Sequence, residues 1–448
     1  MPKTVEARKR RAISLRSLSL RPLLASTTLS HPSFAAMPKR LGFIAALLVL
    51  VSVSSQGAHA QVTGGPGGPG GAMAAPPAAA GVAPAAAGAA GSAGVAGLSV
   101  GALAAIGAGV VAAAAVPTTV NFQQTQFMNI MTDPINFLEG SGLDSEITGA
   151  YAAIERKAPP MAPRFEPRWS VWAAGFGGSQ TTDGNAAVGS SNTTSSIYGT
   201  AVGADYRFSP DTRAGFALAG GGTNFSTNNL GSGRSDLFQA GAYVRHTNGA
   251  AYITGALAYG WQDVTTNRTV TIAGFDQLRA EFNTNAYSGR VEGGYRFVAP
   301  VVGGVGITPY AAGQFTTFDL PAYAESVVTG TPNFALNYTA QSVTDTRSEL
   351  GIRTDKSWAM PGAILTLRGR LAWAHDFDPD RSIATTFQAL PGASFVVNGA
   401  AQASESALTT ASAEWKWING WSAAATFEGE FSDVTRSYAG KGVVRYDW

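Results

Sequence analysis

His375 stands beside Asp376, with Asp378 just beyond, and an imidazole among carboxylates is the pairing that activates a hydrolytic nucleophile. Those three residues border a long polar stretch, whereas His246 lies at a short turn. Two isolated histidines among many solvated side chains fit ordinary exposure better than a catalytic constellation, so no enzymatic activity is expected. The remaining sequence offers no alternative chemistry. There is no Walker motif, no GxGxxG following a strand and no HExxH. Cysteine is absent, which removes thiolate metal sites and disulfide frameworks, and no cofactor is expected.

Charge is scarce and its placement is informative. Only 13% of the 448 residues are charged, against 10% aromatic residues and 54 glycines. This charged share is about half that of ordinary soluble domains. With 31 basic and 29 acidic residues, and no basic patch beyond the leader, nucleic acid is not an expected partner.

The chain ends in an unbroken alternation. Trp448, Tyr446, Val444 and Gly442 fall on one face, and Asp447, Arg445, Val443 and Lys441 on the other. The same period of two recurs upstream. Tyr287, Val291, Tyr295 and Phe297 oppose Arg290, Glu292 and Arg296; Leu350 and Ile352 oppose Arg347, Glu349 and Arg353. Leu365, Leu367, Leu371 and Trp373 oppose Arg368 and Arg370, and Trp421, Phe427 and Phe431 oppose Glu428 and Glu430. The inner face of a sandwich could not bury that many charges. The pattern is consistent if apolar side chains face lipid and charges pair across a watery lumen.

About twelve such segments begin near residues 168, 195, 212, 234, 250, 280, 306, 342, 363, 407, 421 and 438. Short turns are expected at 209–211, 247–249, 356–362 and 419–420, the last an Asn-Gly hairpin signal. Long loops are expected near 179–194, 222–233, 264–279, 318–341 and 376–406. The expected fold is an all-β transmembrane barrel of about 12 antiparallel strands over 168–448. Both its ends lie on the periplasmic side.

Ahead of the barrel, Met37-Pro38-Lys39-Arg40, an apolar run over 41–53 and the small residues Ala58 and Ala60 form a secretory signal within residues 1–60. Its expected cleavage lies between Ala60 and Gln61. Met37 is an alternative start; otherwise the basic residues of 1–36 extend the n-region. Residues 61–120 are Gly, Ala and Pro with little else, a composition expected to be disordered. Residues 121–167 are expected to hold a linker helix and a Pro-rich connector. Phe127, Ile130 and Met131 recur at helical spacing, a second helical stretch runs from Asp144 to Lys157, and Pro159, Pro160, Pro163 and Pro167 end it. A helix so placed can lie inside the barrel as a plug.

The chain resembles the translocator domain of bacterial autotransporters, the type V secretion barrels. The resemblance rests on Trp172-Ala173-Ala174-Gly175-Phe176-Gly177-Gly178, Gly203-Ala204-Asp205-Tyr206-Arg207 and Phe216-Ala217-Leu218-Ala219-Gly220-Gly221-Gly222. Further along it rests on Gly289-Arg290-Val291-Glu292-Gly293-Gly294-Tyr295-Arg296, Asp345-Thr346-Arg347-Ser348-Glu349-Leu350-Gly351 and the terminal residues 440–448. It covers roughly 168–448. It implies an outer-membrane location, a monomeric barrel, and a short N-terminal segment carried to the cell surface with the linker in the pore. The implied partners are the outer-membrane lipid bilayer, the Sec translocon, periplasmic chaperones and the barrel-assembly machinery, with Val444, Tyr446 and Trp448 as the C-terminal assembly signal. In a subset of the family a helix Asn meets acidic lumen residues and the linker cleaves itself. Asn121, Asn129 and Asn136 could take that part here, with Glu292, Glu414, Glu428 or Glu430. Simple charge pairing in the lumen is the competing expectation. The alternative to secretion is a structural barrel or small channel.

Overall fold

The computed structural model describes residues 100–133, 168–227, 231–271, 274–299 and 304–448. Twelve strands dominate: β1 Trp169–Thr182, β2 Thr193–Ser209, β3 Thr212–Thr227, β4 Gly231–Asn248, β5 Ala251–Val270 and β6 Asp276–Tyr295. They continue with β7 Val305–Leu320, β8 Gln341–Met360, β9 Ala363–Asp376, β10 Glu405–Trp417, β11 Trp421–Phe431 and β12 Thr435–Asp447. Each pairs antiparallel with its sequence neighbour, and β12 pairs with β1 from Ser170↔Asp447 to Thr182↔Thr435. This last pairing removes both sheet edges. The barrel is closed.

Burial alternates along most of the barrel strands' length, as a pleated ribbon between two solvents requires. Phe216, Leu257, Leu371 and Val444 point outward, whereas Ala217, Ala256 and Val443 point inward. An aromatic girdle marks the turn end: Trp169 packs on Tyr206, Trp421 on Tyr446, and Tyr446 on Trp448. Amphipathic rings favour such an interface. The turns at this end are short, and Gly249 and Gly420 follow asparagines with φ of +59° and +87°, which a Cβ-free residue adopts without strain.

The opposite end departs from expectation. Two expected long loops, 222–233 and 264–279, are largely strand, because β3 to β6 run well beyond the membrane. Strands β5 and β6 have 20 residues each, and about ten suffice to cross. The loops 321–340 and 377–404 instead fold into a four-stranded sheet, Ser394–Asn398, Ser382–Phe387, Leu336–Tyr338 and Tyr323–Ala324 in that order. This sheet caps the barrel. Arg268 holds it through a bidentate pair with Glu325 (2.8 and 2.5 Å), and Glu325 also accepts from Tyr338 Oη at 2.9 Å.

One helix, α1 (Val100–Thr132), occupies the lumen from Ala113 onward. It begins about twenty residues before the expected boundary at 121, inside the stretch expected to lack structure. Gly and Ala give that stretch no amphipathic pattern from which a helix could be read, and from Ala113 it is buried against the cap and wall. The helical stretch expected at 144–157 lies outside the described residues. Among the described residues, no helix is long and apolar enough to cross a membrane.

Candidate functional site: the pore and its helix

From Ala113 to its end at Thr132 the helix carries no charge, Asp133 follows directly, and most of the wall it touches answers in kind. At the capped end Ala113, Ala114, Ala115, Val116 and Val120 join one apolar cluster with Phe282, Leu320, Tyr323, Leu336, Ile383 and Val397. Tyr323 stacks between Phe282 (3.9 Å) and Tyr338 (4.4 Å). Burial keeps both phenols neutral well above the ordinary tyrosine range, and the neighbouring Glu325 carboxylate pushes the same way.

Midway down, amide side chains replace apolar ones. Gln262 Nε2 donates to Gln123 Oε1 at 2.7 Å, Gln239 donates to Gln124, and Gln314 Nε2 donates to Thr125 Oγ1 at 3.0 Å. Below them Phe127, Met128, Ile130 and Met131 fill a hollow walled by Ala201, Ala217, Ala219, Ala256 and Ala258. The hollow exists because the wall is small. A Cβ on Gly241 would meet Met131 Sδ at 2.6 Å, and one on Gly260 would meet Gln124 Nε2 at 2.7 Å.

The helix ends among charges. Asp133 pairs with Lys441 at 2.6 Å, Lys441 also pairs with Glu428 at 3.0 Å, and Asn129 Nδ2 donates to Glu428 Oε2 at 2.9 Å. A cation here suits the negative end of the helix dipole. A cavity of about 290 Å³, lined by Asn129, Asp133, Arg296, Asp355, Arg368 and Lys441 among others, opens below this cluster toward the turns.

The charges read as lumen-facing lie on the inner side of the strands, most of them buried, and nearly all of them pair with an opposite charge. Arg290 binds both oxygens of Glu349 (2.9 and 2.8 Å) and also Glu292 (3.0 Å), and Arg353 binds Glu292. Arg296 pairs with Asp355 at 2.7 Å, Arg347 with Glu430, Arg368 with Glu414 at 2.5 Å and Arg445 with Asp205 at 2.8 Å. Arg370 bonds Thr410 at 3.0 Å. Asp205 and Asp355 complete two of these pairs and were not singled out as lumen charges in the sequence; their place in the inward parity of β2 and β8 was the available signal.

The histidine constellation does not form. Asp376 faces the lumen, while His375 lies on the outer face and contacts Glu405 at 2.8 Å. Neighbouring strand residues point to opposite faces, which separates them. Val444 and Trp448 face outward, as Tyr446 does by register. Asn121 and Asn129 lie on the helix. Ala60, Gln61 and Asn136 lie outside the described residues.

A closed twelve-stranded barrel with an outward apolar belt and a helix threaded through its lumen defines a translocator of the outer membrane. The autotransporter beta-domain family matches residues 171–428, and the chain belongs to that family. Two curated proteins, each an "Extracellular serine protease" of Serratia marcescens, are 27% identical over 195 residues and 28% identical over 200. Each match takes 43% of this chain but 18% of the relative, so the chain spans under a fifth of the length of the relatives it matches. The protease activity in that name is the relatives' own; the matched domain is a translocator. In fold, the chain is similar to the translocator domain of NalP from Neisseria meningitidis, with TM-score 0.50, 14% identity, and coverage of 68% of this chain and 95% of that one. The beta domain of Bordetella BrkA aligns with TM-score 0.47 and 19% identity over 63% of this chain and all of that one.

Proposed function

We propose that this barrel carries the part of its own chain that precedes α1 to the cell surface and keeps the helix as the seal. The polarity of α1 carries this reading: its earlier residues lie under the cap and its last residue lies toward the periplasmic turns. A chain so threaded has its N-terminal side outside. On this reading residues 1–60 are the export signal, cut between Ala60 and Gln61, and 61–99 are the displayed segment. The connector over 133–167 leads back to β1. The Sec translocon would deliver the chain and periplasmic chaperones would hold it. The barrel-assembly machinery would read Val444, Tyr446 and Trp448 on the outer face of the last strand. A protease-sensitive tag at about residue 80 should be cleaved on intact cells; a tag cleaved only after the outer membrane is opened would refute the reading.

A second reading is favoured by one contact. Glu428 takes a hydrogen bond from the Asn129 amide, and Lys441 Nζ lies 3.4 Å from the Asn129 carbonyl oxygen. Glu428 is placed to accept a proton as Asn129 Nδ2 attacks its own carbonyl carbon. The bond to Ile130 then breaks, and the proton passes to the leaving amine. The product on the Asn129 side is a succinimide. Mass spectrometry of the outer-membrane fraction would find a fragment beginning at Ile130, lost in Asn129→Gln; an intact chain in the parent would dismiss this reading.

A further inference from the structure

Closing β12 onto β1 requires one register among several. The lipid-facing side of that seam is poorly equipped to choose. Going outward from the girdle, its facing pairs are Ala173↔Val444, Gly175↔Gly442 and Gly177↔Gly440. Glycine opposite glycine carries no side-chain complementarity, and Gly-rich strands are the ones whose register is weakly specified. A slip of two residues would keep every side chain on its own face, so the outward pattern of Val444, Tyr446 and Trp448 would survive it in kind.

The lumen side of the seam is different. One rung of the ladder runs Asp447, Ser170, Asp205, Gly215, Tyr243 across β12, β1, β2, β3 and β4. Asp205, with 2% of its surface exposed, is the hub. Its Oδ1 accepts from Ser170 Oγ at 2.7 Å and from Arg445 Nη2 at 2.8 Å, with Arg213 Nη1 at 3.3 Å. Its Oδ2 accepts from Tyr243 Oη at 3.0 Å, and Tyr243 in turn accepts from Trp172 Nε1 at 2.9 Å. Gly215 makes this possible, because a Cβ there would lie 2.7 Å from Tyr243 Cζ and 2.6 Å from Asp205 Cβ. Arg445 therefore leaves the last strand, donates to Ser170 Oγ on the first and reaches Asp205 on the second, while its Nε holds Asp447 at 2.8 Å.

We propose that Asp205 is a positioning residue for barrel closure: it is the fixed anion that Arg445 must find, and it thereby sets the register of β12 on β1. Apart from Arg445 the hub lies within strands β1 to β4, since Ser170, Asp205, Arg213, Tyr243 and Trp172 all belong to them. A two-residue slip moves Arg445 by about 7 Å along the strand, out of reach of the hub, and leaves a buried carboxylate without the partner it was built for. The inference does not depend on what the barrel exports.

Register can be read directly with cysteines placed away from the C-terminal residues. Ser179 and Tyr438 face each other on the outer surface of the seam; Arg436 and Gly440 take the place of Tyr438 when β12 slips by two in either direction. In the full-length chain, Ser179→Cys with Tyr438→Cys should cross-link through a short bis-thiol reagent at least tenfold more than with Arg436→Cys or Gly440→Cys. Asp205→Asn or Arg445→Gln should lower that ratio at least tenfold. Tyr243→Phe, which keeps the ion pair, should leave it unchanged. Should Asp205→Asn and Arg445→Gln give no heat-modifiable barrel, Arg445→Lys should restore assembly in the native register. An unchanged ratio in assembled Asp205→Asn and Arg445→Gln would overturn the proposal. So would an assembly defect that Tyr243→Phe shares and Arg445→Lys does not relieve.

Discussion

The two walls of the lumen solve different problems. The middle of the wall of β2 to β5, where the helix sits, is neutral and small: alanines at 201, 217, 219, 256 and 258, glycines at 241 and 260, and the amides of Gln239 and Gln262. The buried charges Asp205, Arg213, Arg245 and Arg268 lie toward the strand ends. The wall of β6 to β11 is lined with Arg290, Glu292, Arg347, Glu349, Arg353, Arg368, Arg370, Glu414 and Glu430, paired among themselves, and with Glu428, which pairs with Lys441 of β12. The helix has no charge to neutralise buried ions, so most of its length rests on the neutral stretch. Only its end, at Asn129 and Asp133, meets Glu428 and Lys441, while the ions across from it pair mainly with one another. The seat and the counter-wall are separable. Damage to one should not abolish the other.

The largest effect is expected on the charged wall. Glu349→Gln leaves Arg290 with one carboxylate partner instead of two, and removing one member of a buried pair costs about 3–5 kcal/mol. The urea midpoint of the refolded barrel should fall accordingly, whether or not the helix is present. A fall seen only with the helix present would tie this wall to the seat.

On the neutral wall the effect is smaller in stability and larger in pore state. Gly241→Val places branched carbons where Met131 lies, an overpacking of about 1–3 kcal/mol. The relief available is to displace the helix. Conductance in planar bilayers should rise while the heat-modifiable barrel persists. Loss of the barrel itself would mean that the seat is part of the wall's own stability.

Much of this division was legible in the sequence, and the gaps have physical causes. Period two with charges on one face located twelve strands and the inward set from Arg290 to Arg445. Two of the loop boundaries failed where the outer face turns polar, at Arg234, Asp236, Asp263 and Glu281, because β3 to β6 leave the membrane there while still pairing. The helix start failed because Gly101, Gly107 and Gly109 each disfavour a helix by about 1 kcal/mol, and no stripe announces it. The amides Gln123 and Gln124 gave no signal alone; their meaning comes from Gln262 and Gln239 more than a hundred residues away.

The smallest effect concerns the cap. Tyr323 and Tyr338 are held neutral by burial, next to Glu325. Their folded values lie above the ordinary value of about 10, so their contribution is complete below that pH and declines as pH rises past it. Phenolate absorbance should show these two titrating only as the cap loosens, with Tyr338→Phe removing part of the signal. Ordinary titration of both with the cap intact would place them in solvent.

The central claim is that α1, seated on the neutral wall, closes the pore. Single-channel recording of the full chain beside a chain beginning at Arg168 tests it most directly. The full chain should remain closed, with rare brief openings, and the shortened barrel should conduct steadily. Equal conductance from both would contradict the account.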